Sequence, residues 1–299
     1  MSGLVDYAGL FPPATEDMRP ALENYVSYLA GPDRGALGRF IVPLSRLEEL
    51  ATSGKDLMPR GTRALPWRLS VLVAEDVRAA GKAILDFNRR HSSGSKVGHV
   101  IIDVAELKAS TSAEISKRRR ELPKSLTAYI ELPLTADVSP LVKTLRRVDA
   151  RAKMRTGGVT PQAFPSVQQI IDFIVACKRE SVPFKATAGL HHPISGEYRL
   201  TYEPESPRWK MYGFVNVFLA AAFLRAGEPE ETALAVLEER DALNFAFEDS
   251  AIAWRTKRVT SEQLASARRE FAIAFGSCSF REPVDELAQL TRQARAINQ

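Results

Sequence analysis

The chain has 299 residues, of which 45% are hydrophobic and 26% charged, and a formal charge of +5. This is the balance of a globular protein and excludes a disordered or collagen-like chain; the length accommodates one large α/β barrel or two ordinary domains. The mild basicity suits small anionic metabolites as well as nucleic acid, but no aromatic–basic motif for nucleic acid accompanies it.

Cys177 and Cys278 stand far apart, giving neither a disulfide framework nor a Cys-x-x-Cys zinc pattern, which fits a reducing compartment. The first residues show no basic region followed by an apolar run, so no signal peptide is expected. The longest apolar run, Phe214 to Leu224, contains Asn216 and is too short to span a membrane. The expectation is a cytoplasmic protein acting on a small anionic metabolite. No membrane or nucleic-acid partner and no cofactor are expected, and homo-oligomerisation is left open.

Taken in order, Val5–Phe11 reads as strand one, stopped by Pro12 and Pro13, and residues 17–30 have helical spacing ended by Gly31-Pro32. Arg39–Leu44 is strand two, after which Ser45 and Glu48 have capping-box spacing. Trp67–Val73 is strand three, followed by a helix over Asp76–Arg90; Gly98–Val104 is strand four, followed by a charged helix near 111–120. Leu126–Pro133 is strand five, with Tyr129 and Glu131 on one face, and Ser139–Val148 is a helix. Arg151–Thr156 is strand six, Val167–Arg179 a helix and Pro183–Ala188 strand seven. The stretch 190–270 is long. It holds an apolar helix at Gly213–Ala226, helices near 230–240 and 261–269, and Trp209, Tyr212 and Trp254, expected to form a small core of their own, a lid role being the sharper alternative. Either Phe245–Trp254 or Phe271–Phe275 supplies strand eight, and Glu282–Ala296 closes the chain as a helix. Eight alternating strand–helix units predict one parallel sheet closed as a (β/α)₈ TIM barrel, a single domain with a long insertion between strands seven and eight. No Gly-x-Gly-x-x-Gly follows strand one, which argues against a dinucleotide fold.

Alternate residues of a strand share a face, so Lys153 pairs with Arg155, and Lys185 with Thr187. In such barrels chemistry occurs at the carboxyl ends of the strands, which gathers Asp6, Asp103, Glu131, Lys153, Arg155, Lys185 and the Gly189–His192 turn on one rim. Two lysines on neighbouring buried strands are costly as pure structure. A second cation and partial burial both lower a lysine pKa from about 10.4, the preparation a Schiff base with a carbonyl substrate requires. Glu131 or Asp103 could then move protons. The alternatives are lysines serving only as charges, in an isomerase or decarboxylase, and a non-catalytic anion-binding barrel. The His191-His192 pair lacks His-x-His or His-x-x-x-His spacing, so it is expected to hydrogen-bond an anion rather than bind a metal. Cys278 is expected to be a packed thiol.

The run Lys153-Met154-Arg155-Thr156-Gly157, the run Lys185-Ala186-Thr187-Ala188-Gly189 and the run Phe275-Gly276-Ser277-Cys278-Ser279 together resemble three motifs of class I aldolases of the deoxyribose-phosphate aldolase type. Ile130-Glu131 and Asp6 are similar to that family's strand-five and strand-one residues. The resemblance implies a carbon–carbon lyase in which Lys153 forms the imine and Lys185 lowers its pKa. It also implies a phosphate site at Gly157, Gly189, Gly276, Ser277 and Ser279, where backbone N–H groups and the start of the last helix favour an anion. The chain departs from the family in several places. The strand-four aspartate has no clean counterpart, since Asp103 falls later than expected and His99 lies nearer. Arg155 stands where the family has a small residue, His191-His192 replaces a basic turn, and the segment before strand eight is much longer. These departures suggest a different substrate, with a carboxylate for Arg155 to grip in bidentate fashion.

Overall fold

The computed structural model of the chain describes residues 2–297 except 75 and 136, with side chains of the last helix described up to residue 293. Its eight barrel strands, numbered in chain order, are β1 (Val5–Tyr7), β2 (Leu37–Pro43), β3 (Trp67–Leu72), β4 (Val100–Lys108), β5 (Thr127–Glu131), β6 (Arg151–Arg155), β7 (Phe184–Thr187) and β8 (Ala272–Ser277). Each pairs with its sequence neighbours and β1 closes on β8, all in parallel. The fold is the (β/α)₈ TIM barrel that the alternating pattern predicts. Among the described residues no helix is long and apolar enough to cross a membrane.

Local chemistry explains most boundaries. The helix Val167–Arg179 starts at a capping box between Ser166 and Gln169 and buries Ile170, Ile171, Phe173, Ile174 and Cys177 against the sheet. Thr111 and Glu114 make a second box at the start of Ser112–Glu121. The box expected of Ser45 and Glu48 does not form. A 3₁₀ turn, Leu44–Arg46, leads directly into Leu47–Ser53 without a side-chain cap, and Glu48 pairs instead with Arg90.

Strand four needs the largest correction. It does not stop at Val104 but runs to Lys108. Its pairing with β3 skips a residue, Leu69 facing Ile102 and Ser70 facing Val104, which makes Asp103 the extra residue of a β-bulge. Beyond the bulge the strand carries Glu106 and Lys108 on one face.

Strand eight is Ala272–Ser277. The alternative, around Phe245–Trp254, belongs to a separate antiparallel sheet of Phe245–Phe247, Ala251–Trp254 and Lys257–Thr260. The links within that sheet are only a few residues long, which suits hairpins and excludes parallel crossovers.

Much of the 190–270 stretch belongs to the barrel's own outer layer. The helix Phe214–Ala226 is buried from Phe214 to Leu224, and Phe214 stacks on Phe275 of β8 with centroids 5.0 Å apart. Trp209, Tyr212 and Trp254 do not form a core of their own, Tyr212 and Trp254 being part of the main hydrophobic core. Trp209 is exposed, Tyr212 donates to the Pro165 carbonyl at 2.7 Å, and the Trp254 indole donates to Glu239 at 3.1 Å.

Candidate active site

The pairing register builds the site. Lys108 of β4 lies opposite Glu131 of β5, Glu131 opposite Lys153 of β6, Lys153 opposite Lys185 of β7, and Lys185 opposite Ala274 of β8. Register partners in a parallel sheet face the same side, so one row of the barrel reads Lys, Glu, Lys, Lys, Ala. The two adjacent ammonium groups would repel. Glu106, two residues before Lys108, reaches between them, its Oε2 lying 2.8 Å from Lys153 Nζ and its Oε1 2.6 Å from Lys185 Nζ. Lys185 also reaches past the small Ala274 to Asp6 Oδ2 at 2.7 Å, and Lys153 lies 2.9 Å from Glu131 Oε2. The result is a chain of five charges, Asp6–Lys185–Glu106–Lys153–Glu131, drawn from five strands.

Further contacts fix each member. The Ser70 hydroxyl donates to Glu106 Oε1 at 2.6 Å. Arg39 N–H donates to Asp6 Oδ1 at 2.7 Å. A side chain at Gly38 would strike that same oxygen, since a Cβ there would lie 2.2 Å from it. Lys185 Nζ sits 5.4 Å from the centre of the Tyr129 ring. Glu131 Oε1 has Arg155 Nε at 3.5 Å and Lys108 Nζ at 3.7 Å. Its Oε2, although at ion-pair distance from Lys153, lies outside hydrogen-bond geometry with any described group.

The electrostatics of Lys185 are set by its two carboxylates and not by the neighbouring lysine. Burial alone would lower the Lys185 pKa, but Asp6 and Glu106 outweigh it and hold Lys185 above the usual lysine range. Burial alone would raise Glu106, but Lys153 and Lys185 hold it well below the usual carboxylate range. Glu131 is likewise lowered, burial being outweighed chiefly by Lys153. Lys185 is therefore a locked cation.

A cavity of about 300 Å³ opens at the carboxyl ends of the strands, lined by Glu106, Lys153, Arg155, Thr187, His191 and Gly276 among others. Lys153 and Glu106 reach this cavity, whereas Lys185, 1% exposed, is not part of its lining.

Asp103 is not on this rim. It lies in the first half of β4, paired with Arg39 Nε at 2.6 Å and with Arg68, because the bulge ends its phase with the strand's upper half. Glu106 takes the place next to the lysines that was expected of Asp103, and Ser70 supports it. Extending the strand past Val104 to the alternating run Glu106-Leu107-Lys108 would have found it.

The glycine turns meet as expected of a close approach. Gly189 has φ +73°, and a Cβ there would lie 2.9 Å from Gly157 Cα, so the β6 and β7 turns touch backbone to backbone. Ser277 Oγ accepts from Ser279 N–H at 3.3 Å, and Ser279 Oγ accepts from Glu282 N–H at 3.1 Å, holding the entry to the last helix, Arg281–Ile297. The histidines meet carboxylates of that helix. His191 Nδ1 lies 3.1 Å from Glu282 and 3.8 Å from Cys278 Sγ, and His192 Nδ1 lies 2.9 Å from Glu286. Burial alone would lower the His191 pKa; Cys278 and Glu282 outweigh it, and it is raised to about 10. Cys278 is buried and lines the cavity.

No family model, no curated protein and no solved structure matches the chain.

Proposed function

We propose that the barrel is a lyase of the class I aldolase type, forming or cleaving a carbon–carbon bond through an imine on Lys153. The observation that carries this reading is that of two adjacent buried lysines, only Lys153 reaches the cavity, and it does so between two carboxylates. Attack on a carbonyl carbon needs the free amine, so Glu131, which does not share the buried Lys185 cation, takes the ammonium proton first. The same acid returns it to the carbonyl oxygen, giving the carbinolamine, and then relays a second proton from the nitrogen to that hydroxyl, which leaves as water. The resulting iminium keeps the positive charge that Glu106 and Glu131 already balance, so imine formation leaves the charge of the buried chain unchanged. Glu131 Oε2, which accepts no hydrogen bond from the described residues, is the acid beside Lys153 that this reading uses for the proton of the substrate's α-carbon.

Arg155 at the rim and the Gly157 and Gly189 turns would receive the anionic end of the substrate. Lys185, fixed by Asp6 and Glu106, keeps Glu106 ionised.

Borohydride trapping tests this reading. Incubation with a panel of small aldehydes and keto acids, followed by reduction, should add mass at Lys153, and Lys153→Met should abolish the adduct. A second reading is favoured by the double ion pair on Lys153. In it the lysines act as fixed charges in isomerisation or decarboxylation of an anionic substrate. Turnover without any reducible adduct would select that second reading.

A further inference from the structure

A second cluster lies beside the cavity, where the turn after β7 meets the last helix. His192, Glu282 and Glu286 each offer one ligand atom, and these atoms lie within 4.8 Å of one another. His192 Nδ1 is 3.0 Å and 2.9 Å from the two oxygens of Glu286. Glu282 and Glu286 are one turn apart on the same helix, where like charges repel. Among the described residues neither has a lysine or arginine at ion-pair distance, their partners being His191 and His192.

The surroundings hold these groups in place as outer partners of a metal site do. The His192 ring is stacked on Tyr198 at 3.6 Å, which fixes its orientation. Glu282 Oε2 accepts from the Tyr202 hydroxyl at 3.2 Å and faces His191 Nδ1 at 3.1 Å. Tyr198 lies on the hairpin Gly196–Arg199 with Arg208–Met211, and Tyr202 in its loop.

We propose that His192, Glu282 and Glu286 bind one Zn²⁺, which fastens the 191–211 segment to the last helix beside the cavity mouth. Nitrogen and oxygen ligands stand about 2.0–2.2 Å from zinc, hence roughly 3.4 Å from each other in a tetrahedral site. His192 and Glu286 stand slightly closer than that and all three ligand atoms lie within 4.8 Å of one another, a difference that glutamate rotation covers. One imidazole with two carboxylates is a ligand set that zinc accepts, with water at the fourth position.

The test is titration of the chelator-stripped full chain with Zn²⁺ by calorimetry. One saturable equivalent is expected. His192→Ala and Glu286→Gln should each weaken it by at least about tenfold, because even outer-shell changes at zinc sites cost 10–100-fold. Cys278→Ser should leave it unchanged. Glu286→Gln keeps its shape on a partly exposed side chain, so the test survives if His192→Ala fails to fold, as circular dichroism would show. Absence of saturable binding, binding retained in Glu286→Gln, or loss in Cys278→Ser alone would each overturn the proposal.

Discussion

Placed between Lys153 and Lys185, the Glu106 carboxylate gives one oxygen to each, and it does so from a layer below them. The two lysines are therefore unequal. Lys185 is held between Glu106 and Asp6, both almost wholly buried. Removing it strips Asp6 of its ion-pair partner deep in the barrel, while Glu106 keeps only Lys153. Lys185→Met should cost about 3–5 kcal/mol, the range for breaking a buried pair by deleting one partner. Lys153→Met should cost clearly less, because Glu106 retains Lys185 and Ser70 and Glu131 retains Arg155 and Lys108 at the open rim. Denaturant unfolding of the two variants measures the difference, and equal losses would contradict the asymmetry. The lysines were legible because a charged residue in the middle of an apolar strand is rare. Glu106 was hidden by the bulge at Asp103. A one-residue bulge shifts the inward phase of every later residue, and alternation read straight through it places the wrong acid beside the lysines.

The helix Phe214–Ala226 shows the same limit at the scale of an element. Its apolar run has no amphipathic stripe because it is buried on every side, so periodicity alone could not say what it packs against. Asn216, the single polar break in the run, is the joint of the segment. Its Oδ1 accepts from Ser195 N–H at 2.9 Å, and its Nδ2 donates to the carbonyls of Val236 and Glu239 at 2.7 and 2.8 Å. Ser195, Val236 and Glu239 are all buried. Asn216→Leu preserves the volume approximately and leaves two backbone groups unpaired, Ser195 N–H and the Glu239 carbonyl, because the Val236 carbonyl keeps Glu239 N–H. A buried orphan group costs about 1–3 kcal/mol, so the variant should lose at least about 2 kcal/mol. A Leu variant as stable as the parent in guanidinium unfolding would show that these contacts are dispensable. The strand-like stretch 245–254 was ambiguous for a related reason. Its composition is that of a strand, and only the short links on either side make it part of a hairpin sheet instead of the barrel wall.

For the whole molecule, the barrel followed from the regular succession of strands and helices, which survives errors of a few residues at each boundary, whereas the site depends on register and does not. The five-charge chain ties β1, β4, β5, β6 and β7 together through the barrel's interior, and its titration should shape the stability of the entire fold. The folded pKa of Glu106 is depressed, so its contribution is present above its unfolded pKa, about 4.3, and is lost as pH falls through the folded value. The folded pKa of Lys185 is raised, so its contribution is full below about 10.4 and is lost as pH rises beyond that. The two edges predict a plateau in unfolding free energy between roughly pH 5 and pH 10, falling on both sides by linkage. Surface pairs such as Arg46–Glu49 and Arg90–Glu48, whose carboxylates are lowered by the arginines, add an acid limb of their own, but salt screens exposed charges over about 10 Å at 0.1 M and buried ones far less. Repeating the pH series at high salt should therefore weaken the surface share and leave the limb due to the interior chain. Stability that rises steadily as pH falls below 5, or an acid limb abolished by salt, would mean that the buried charges do not govern the fold's response to protons.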